Sequence, residues 1–220
     1  EFMESVWWVF KSLWEKGRVY RSHRIMPYSW KLTTPLSNFE ANSNYKDVQD
    51  PAVTVAMKLT ETPGLEVEGD VFVLAWTTTP WTLPSNMGLA VGGDIEYVRV
   101  YTKDGEQLVL AKSRLKEVFK RSEDSIERVE QQPVEELVGL HYEPLFPYFS
   151  PLSEEGAFRV VQADFVSTED GTGVVHIAPG FGEDDYQLGQ REGLPTVAPI
   201  DEDCYFTEDV SDYVGRFVKE

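Results

Sequence analysis

The sequence predicts a mixed α+β domain, a mostly antiparallel, barrel-like sheet with helices at its periphery. Three observations lead there. Segments in which β-branched and aromatic residues alternate with others crowd the centre of the chain. The helical patterns precede or interrupt these segments. The 220 residues are 41% hydrophobic and 13% aromatic, a globular composition long enough for one sizeable core, and no internal repeat is visible.

Glu1 and Phe2, ahead of Met3, read as a cloning remnant. Met3, Trp7, Phe10 and Trp14 recur at helical spacing, Val6 and Leu13 widen the stripe, and Gly17 is a natural stop, so Met3 to Lys16 is expected to be a helix. Such a stripe is a packing surface, here facing something outside this chain. Arg18 to Asn44 is rich in turn formers and reads as an irregular arm. Residues 3–45 are therefore expected to be a helix and connecting arm, and residues 46–220 the domain proper.

Regular alternation follows. "AVTVAMKL", "VFVLAW", "EYVRVYT" and "QLVLA" are strand-like. "KSRLKEVFKR" reads as a helix, as does "PVEELVGL", with Pro133 in its first turn and Gly139 near its end. "FRVVQADFV" and "GVVHIA" are strands again. "GEDDYQLGQREG" is a short helix with acids at its start and glycine at its end.

The formal net charge of −18 argues against a surface that grips phosphates, which is built from clustered Lys and Arg, unless the basic surface lies elsewhere in a larger parent protein. One cysteine, Cys204, excludes an intramolecular disulfide and favours a reducing compartment. With no apolar run of membrane-spanning length and no signal segment, a soluble cytoplasmic protein with no membrane partner is expected.

Several chemistries are absent. The only histidines are His23, His141 and His176, so no His/Cys zinc constellation and no HExxH helix exists. No GxxxxGK[ST] loop, no GxGxxG and no GxSxG elbow occurs. Hydroxyls, a lone histidine, carboxylates and water remain.

Two stretches concentrate those groups. In "LAWTTTPWTLPSNMG" a strand should end at Pro80, which lacks an N–H and holds Thr79 extended. Alternation puts Thr77 and Thr79 on one face and Thr78 on the other. Hydroxyls at a strand end can orient an ester and a water without titrating; threonine is also simply a good strand former. In "GTGVVHIAPGFGEDDY" a strand carrying His176 runs through a Pro-Gly-Phe-Gly turn into a helix led by Glu183, Asp184 and Asp185. Helix capping and a satisfied core histidine are the plain alternatives.

Together, "WTTTPWTLPSNMGLAV" and "GTGVVHIAPGFGEDDY" resemble the inserted editing domain of the isoleucyl-tRNA synthetases. "YRSHRIMPYSWKLTTPLSNFE" and "YKDVQDPAVTVAMKL" resemble the stretch leading into that insert. The likeness covers the chain after its first two residues. Leucyl and valyl relatives typically carry arginine where Thr79 stands, and the valyl type lysine where His176 stands. The signatures HIGH and KMSKS of amino-acid activation are absent, so an isolated editing domain that cannot charge tRNA is expected.

The resemblance implies hydrolysis of valine wrongly esterified to the 3′-terminal adenosine of isoleucine tRNA. One methylene discriminates only about 10–200-fold in a binding pocket, isoleucine against valine being the well-known worked case of that limit, so a second, smaller sieve is needed. By the same resemblance Thr77, Thr78, Thr79 and Asp185 are catalytic, Asp185 holding the α-ammonium. Trp76, Asn86, His176 and Asp184 bind substrate, with His176 shaping the side-chain pocket. No metal and no cofactor is implied. The partners are the aminoacyl-adenosine end of tRNA(Ile) and the remainder of the parent synthetase, and the domain is expected to be monomeric. Phe181 stands where many relatives have histidine, so a polar role there is lost. A valyl- or leucyl-type editing domain, a non-catalytic binder of RNA ends, and a docking module held by the Met3–Trp14 stripe are the competing readings.

With so few soft ligands, ester hydrolysis should survive chelator treatment unchanged. A loss that added zinc restores would overturn a metal-free site.

Overall fold

In a computed structural model of the chain, residues 1–61 and 69–220 are described. Among them the elements run as α1 (Phe2–Glu15), β1 (Tyr28–Ser29), β2 (Thr34–Pro35), α2 (Asn38–Ala41), β3 (Val53–Lys58), β4 (Val71–Thr77) and β5 (Gly88–Val91). There follow β6 (Tyr97–Thr102), β7 (Gln107–Ala111), α3 (Leu115–Val118), β8 (Ile126–Gln132), β9 (Arg159–Gln162), β10 (Val174–Ile177) and α4 (Glu183–Glu192). No helix among the described residues is long and apolar enough to cross a membrane.

The sheet is mixed. β3 pairs antiparallel with β4 along its whole length. The other edge of β4 is shared, β7 running parallel along Val71–Val73 and β10 parallel at Trp76. β10 continues antiparallel to β5, and β5 parallel to β9. From β9 the ladder passes through the bridge Arg159–His141, and Tyr142 bridges back to Leu59 just past β3. Backbone bonds from the Thr60 amide to the His141 carbonyl and from the Glu143 amide to the Lys58 carbonyl complete the seam. These contacts seam one end of a curled, barrel-like sheet. β7, β6 and β8 extend from β4 as a flap.

The interior follows from the alternation. Met57, Val73, Ala75, Leu89, Val91, Val109, Val160 and Ile177 fill the barrel, and Leu74, Val98, Val100, Leu110 and Phe119 form a second cluster under the flap. Tyr97 is buried with its hydroxyl donating to the Gly173 carbonyl (2.7 Å) and accepting from the Gly92 amide (2.9 Å), which ties the β5–β6 turn to the start of β10.

Two expected helices differ from the observed elements, and two strands, β5 and β8, were not expected. "PVEELVGL" is not a helix; only Val134–Glu136 form a 3₁₀ turn. Leu137 and Leu140 turn into the core, Gly139 adopts φ +90°, and its amide joins the Val160 carbonyl, so sheet pairing and burial override helical propensity. "KSRLKEVFKR" shrinks to a 3₁₀ turn and the four-residue α3. β5 is buried on both faces and so shows no alternation to detect. β8, "IERVEQQ", is a charged strand at the sheet's edge, a composition that blunts edge pairing and hides the strand from a hydrophobic pattern.

α1 ends at Glu15 and is stopped by Gly17, φ +65°, where the Gly17 and Arg18 amides return to the Trp14 and Leu13 carbonyls. It buries nothing: Trp7, Trp8, Phe10 and Trp14 are all exposed. The arm is irregular apart from the two-residue hairpin β1–β2 and the one-turn α2, which carries a Ser37–Glu40 capping box. The hairpin docks on the chain's C-terminal segment through Trp30 against Phe217 (5.1 Å between ring centres) and a bond from the Tyr28 hydroxyl to the Glu202 carbonyl (2.8 Å).

Tyr97→Phe removes one hydroxyl but strands a buried amide and a buried carbonyl. It should cost about 2 kcal/mol in urea unfolding at an unchanged m-value; a loss below a few tenths would show that the two backbone groups find other partners.

Candidate active site

Parallel pairing of β4 with β10 sends both chains out at the same rim of the barrel. The threonine run and the His176-to-Asp185 stretch, a hundred residues apart in sequence, therefore meet. β4 ends at Thr77, Thr79 leaves extended geometry at φ −122°, ψ 64°, and Pro80 opens a 3₁₀ helix over Pro80–Ser85.

The turn is built from hydroxyls. The Thr79 amide donates to Thr77 Oγ1 (3.0 Å), and the Thr77 and Thr79 hydroxyls lie 3.2 Å apart. Thr82 Oγ1 donates to the Thr79 carbonyl (2.8 Å) and lies 3.3 Å from Thr79 Oγ1. Thr77 is buried, whereas Thr78 and Thr79 are exposed. The stiff χ1 of threonine makes this a rigid, uncharged cluster.

Behind it sits His176, 6% exposed. Its Nε2 lies 2.9 Å from Thr82 Oγ1, and its Nδ1 lies 2.8 Å from Asn86 Nδ2. The Asn86 amide is oriented by donating to the Gly88 carbonyl and by accepting at Oδ1 from the Tyr142 hydroxyl (2.5 Å). Asn86 therefore donates to Nδ1, which fixes the proton on Nε2, from where it is given to Thr82. Burial depresses the imidazole from 6.5 to about 4, and it is neutral at physiological pH. Both ring nitrogens are spent within the protein, leaving neither a general base nor a metal ligand.

Asp185 lies in the first turn of α4 but does not cap it. Its Oδ2 accepts from the Ala178 amide (2.8 Å), stapling the helix start to the end of β10. Burial raises its pKa, with the Ala178 bond opposing. The intervening turn is close-packed at Gly180, where a side chain would strike the Val197 carbonyl. Asp184 and Glu183 are exposed, away from these bonds.

Of the residues expected from sequence, the structure brings Thr77, Thr79, Asn86 and His176 into one hydrogen-bonded chain. Asp185 joins the same rim, and Thr78 stands exposed at its tip. Trp76 points to the opposite face of β4 from Thr77, where its ring lies under Gly171; a Cβ there would come within 2.8 Å of the ring, and φ is +67°. Two members were missed. Thr82 was visible as a fourth hydroxyl three residues beyond Thr79. Tyr142 carried no local signal, since it reaches Asn86 only through barrel closure. A cleft of about 630 Å³ opens beside this rim, touching Trp81, Gly180 and Phe181, and is otherwise lined by the arm and the C-terminal segment.

Residues 1–179 match the profile of the tRNA synthetases class I (I, L, M and V). The chain belongs to the class I tRNA synthetases. This synthetase chain is 53% identical over 220 residues to isoleucine–tRNA ligase of Bdellovibrio bacteriovorus, matching 100% of this chain and 20% of that protein. It is 50% identical over 245 residues to isoleucine–tRNA ligase of Treponema denticola, matching 100% of this chain and 22% of that one. The chain thus spans about a fifth of the length of these relatives. Its fold is that of solved synthetase inserts. The structure titled GlLeuRS-CP1 superposes with a TM-score of 0.51 at 17% identity, over 64% of this chain and 59% of that one. The P. falciparum cytosolic leucyl-tRNA synthetase editing domain superposes with a TM-score of 0.50 at 10% identity, over 64% and 66%.

A depressed imidazole makes the folded state refuse a proton that the unfolded chain binds. His176 therefore adds stability in full above 6.5, lost progressively as pH falls towards about 4, up to about 3 kcal/mol. The stability difference between wild type and the non-titrating His176→Gln should shrink over that window. A difference independent of pH would contradict a buried neutral ring.

Proposed function

We propose that this chain is the editing part of an isoleucyl-type synthetase and hydrolyses the ester of valine mischarged onto tRNA(Ile). The observation that carries this reading is the run of rigid neutral groups, Thr79–Thr82–His176–Asn86–Tyr142, at a barrel rim where the Asp185 carboxyl is also pinned. Membership of the synthetase family, the editing-domain fold and the isoleucine–tRNA ligases among its relatives support it. So does Thr79, where arginine is typical of leucyl and valyl types.

Thr78 and Thr79 orient the ester carbonyl and a water. The water oxygen adds to the carbonyl carbon, and collapse of the tetrahedral adduct expels the ribose hydroxyl, releasing valine and intact tRNA. With His176 neutral and saturated and Asp185 given to the ammonium, no further base serves the water among the described residues. Its activation then rests on orientation and on the substrate's neighbouring ribose hydroxyl. Asp185 pairs with the α-ammonium, a charge-assisted contact that a blocked amine cannot make. Thr77, His176 and Asn86 hold the threonine turn and wall the side-chain pocket, whereas Trp76, on the other face of β4, and the exposed Asp184 take no part in it. Residues 46–220 are the editing unit and residues 3–45 its connection to the rest of the synthetase. The working compartment is the cytoplasm, where that enzyme meets tRNA.

Two measurements test this. Thr78→Ala/Thr79→Ala should cut valyl-tRNA(Ile) deacylation at least a hundredfold while costing only about 1 kcal/mol in stability. Near-normal hydrolysis by a folded double variant would return the threonines to plain strand formers. Asp185→Asn keeps an acceptor for Ala178 and should deacylate valyl-tRNA poorly, yet spare an N-acetylated ester relative to wild type. Equal losses on both esters would reassign Asp185 to scaffolding.

A further inference from the structure

The two halves of the rim are joined through the sheet at one place. β4 and β10 share a single register pair, Trp76 with Val175, and the next residue along each strand is a rim residue, Thr77 on one and His176 on the other. Parallel pairing is the weaker kind per residue, and one pair of it is little to hold two runs of side chains in place. What packs on that pair therefore matters. The Trp76 ring turns to the face away from Thr77 and lies under the turn that leads into β10, where a Cβ at Gly171, φ +67°, would come within 2.8 Å of it.

That turn is held from the flap. Arg114 closes the 3₁₀ turn Lys112–Arg114 that follows β7. Its guanidinium donates from Nε to the Gly171 carbonyl (2.9 Å) and from Nη1 to the Glu169 carbonyl (3.0 Å). The Ala111 amide donates to the Thr172 carbonyl (2.8 Å), and the Tyr97 hydroxyl to that of Gly173 (2.7 Å). The backbone pairs of Ala111 and Thr172 would survive many substitutions, whereas the two bonds at Glu169 and Gly171 come from one side chain. A planar guanidinium fixes two carbonyls at once in a set geometry, which the point charge of lysine does not.

We propose that Arg114 is a positioning residue for the hydrolytic rim. By clamping the Glu169–Gly171 turn onto Trp76 it holds β4 and β10 in the register that sets the threonine run beside His176. Its effect on rate rests on the editing reading; its effect on the rim rests on the geometry alone. Arg114 touches neither the substrate nor the threonines, so its loss is felt in turnover and not in binding.

The test uses the full 220-residue chain. Arg114→Ala should lower kcat for valyl-tRNA(Ile) deacylation about tenfold and change KM by less than about twofold. Arg114→Lys should recover only part of the rate, and guanidinium ion well below denaturing concentration should restore part of it to Arg114→Ala. Arg128→Ala, on the edge strand β8, should leave both constants unchanged. A readout that needs no turnover is the NMR signal of the His176 Nε2 proton, bonded to Thr82. It should be displaced or lost to exchange in Arg114→Ala, together with a shift of the Trp76 indole signal. Wild-type kcat in a folded Arg114→Ala, or a fall in kcat with the His176 proton unmoved, would overturn the proposal. A raised KM at unchanged kcat would make Arg114 a substrate contact and overturn it too. Should Arg114→Ala fail to fold, Arg114→Lys decides by the same two readouts, wild-type values sinking the clamp. Failure of wild type to hydrolyse the ester would instead strike the editing reading, and the His176 and Trp76 signals would still decide the clamp.

Discussion

The rim of this barrel is organised around one buried imidazole. His176 is buried with two polar ring nitrogens, so each must find a hydrogen-bond partner. Nε2 takes Thr82 on the turn after β4, and Nδ1 takes Asn86 at the end of the same 3₁₀ helix. Asn86 in turn engages Tyr142, part of the segment that closes the barrel between β9 and β3. Two stretches distant in sequence are thus tied to one ring, the 3₁₀ helix directly and the Tyr142 segment through Asn86. Loss of any link leaves a buried polar group unpaired, a cost comparable to that of a sizeable core cavity.

That constraint also shapes the chemistry available. A histidine held neutral with both nitrogens engaged is a strut, and what it supports is the position of the threonine hydroxyls. Asp185 is likewise placed by a backbone bond, to Ala178, and its burial favours a nearby cation over water as partner for its charge. The proposed hydrolysis accordingly relies on placement of rigid neutral groups, and the shape of the rim matters more than the strength of any one acid or base.

The surface follows a different logic. A net charge of −18 would repel nucleic acid at long range. α1, with its tryptophans exposed and nothing beneath them, is the least self-sufficient part of the chain. The arm behind it is only partly independent. Its hairpin belongs by contact to the C-terminal segment, although it lies on the far side of a boundary drawn at residue 45.

Much was determined by the sequence alone, because its signals are local. Alternation marked β3, β4, β6, β7 and β10; the Gly17 stop marked the end of α1; the acidic start and Gly193 marked α4. Pro80 was expected to end the threonine strand and hold Thr79 extended, but β4 stops at Thr77 and Thr79 caps the 3₁₀ helix that Pro80 opens. The candidate residues stood out as two unusual runs and through family resemblance. Tertiary structure decided what depends on partners far along the chain. Burial on both faces made β5 a strand without alternation, and pairing with Val160 pulled "PVEELVGL" out of a helix. Parallel pairing of β4 and β10 made neighbours of the two runs, and barrel closure delivered Tyr142 to Asn86. It also separated roles that sequence had merged: His176 faces inward with both nitrogens satisfied, Asp185 staples rather than caps, and Trp76 turns away from Thr77. The physical reason is that a hydrogen bond between residues 56 or 94 apart leaves no trace in the periodicity of either segment.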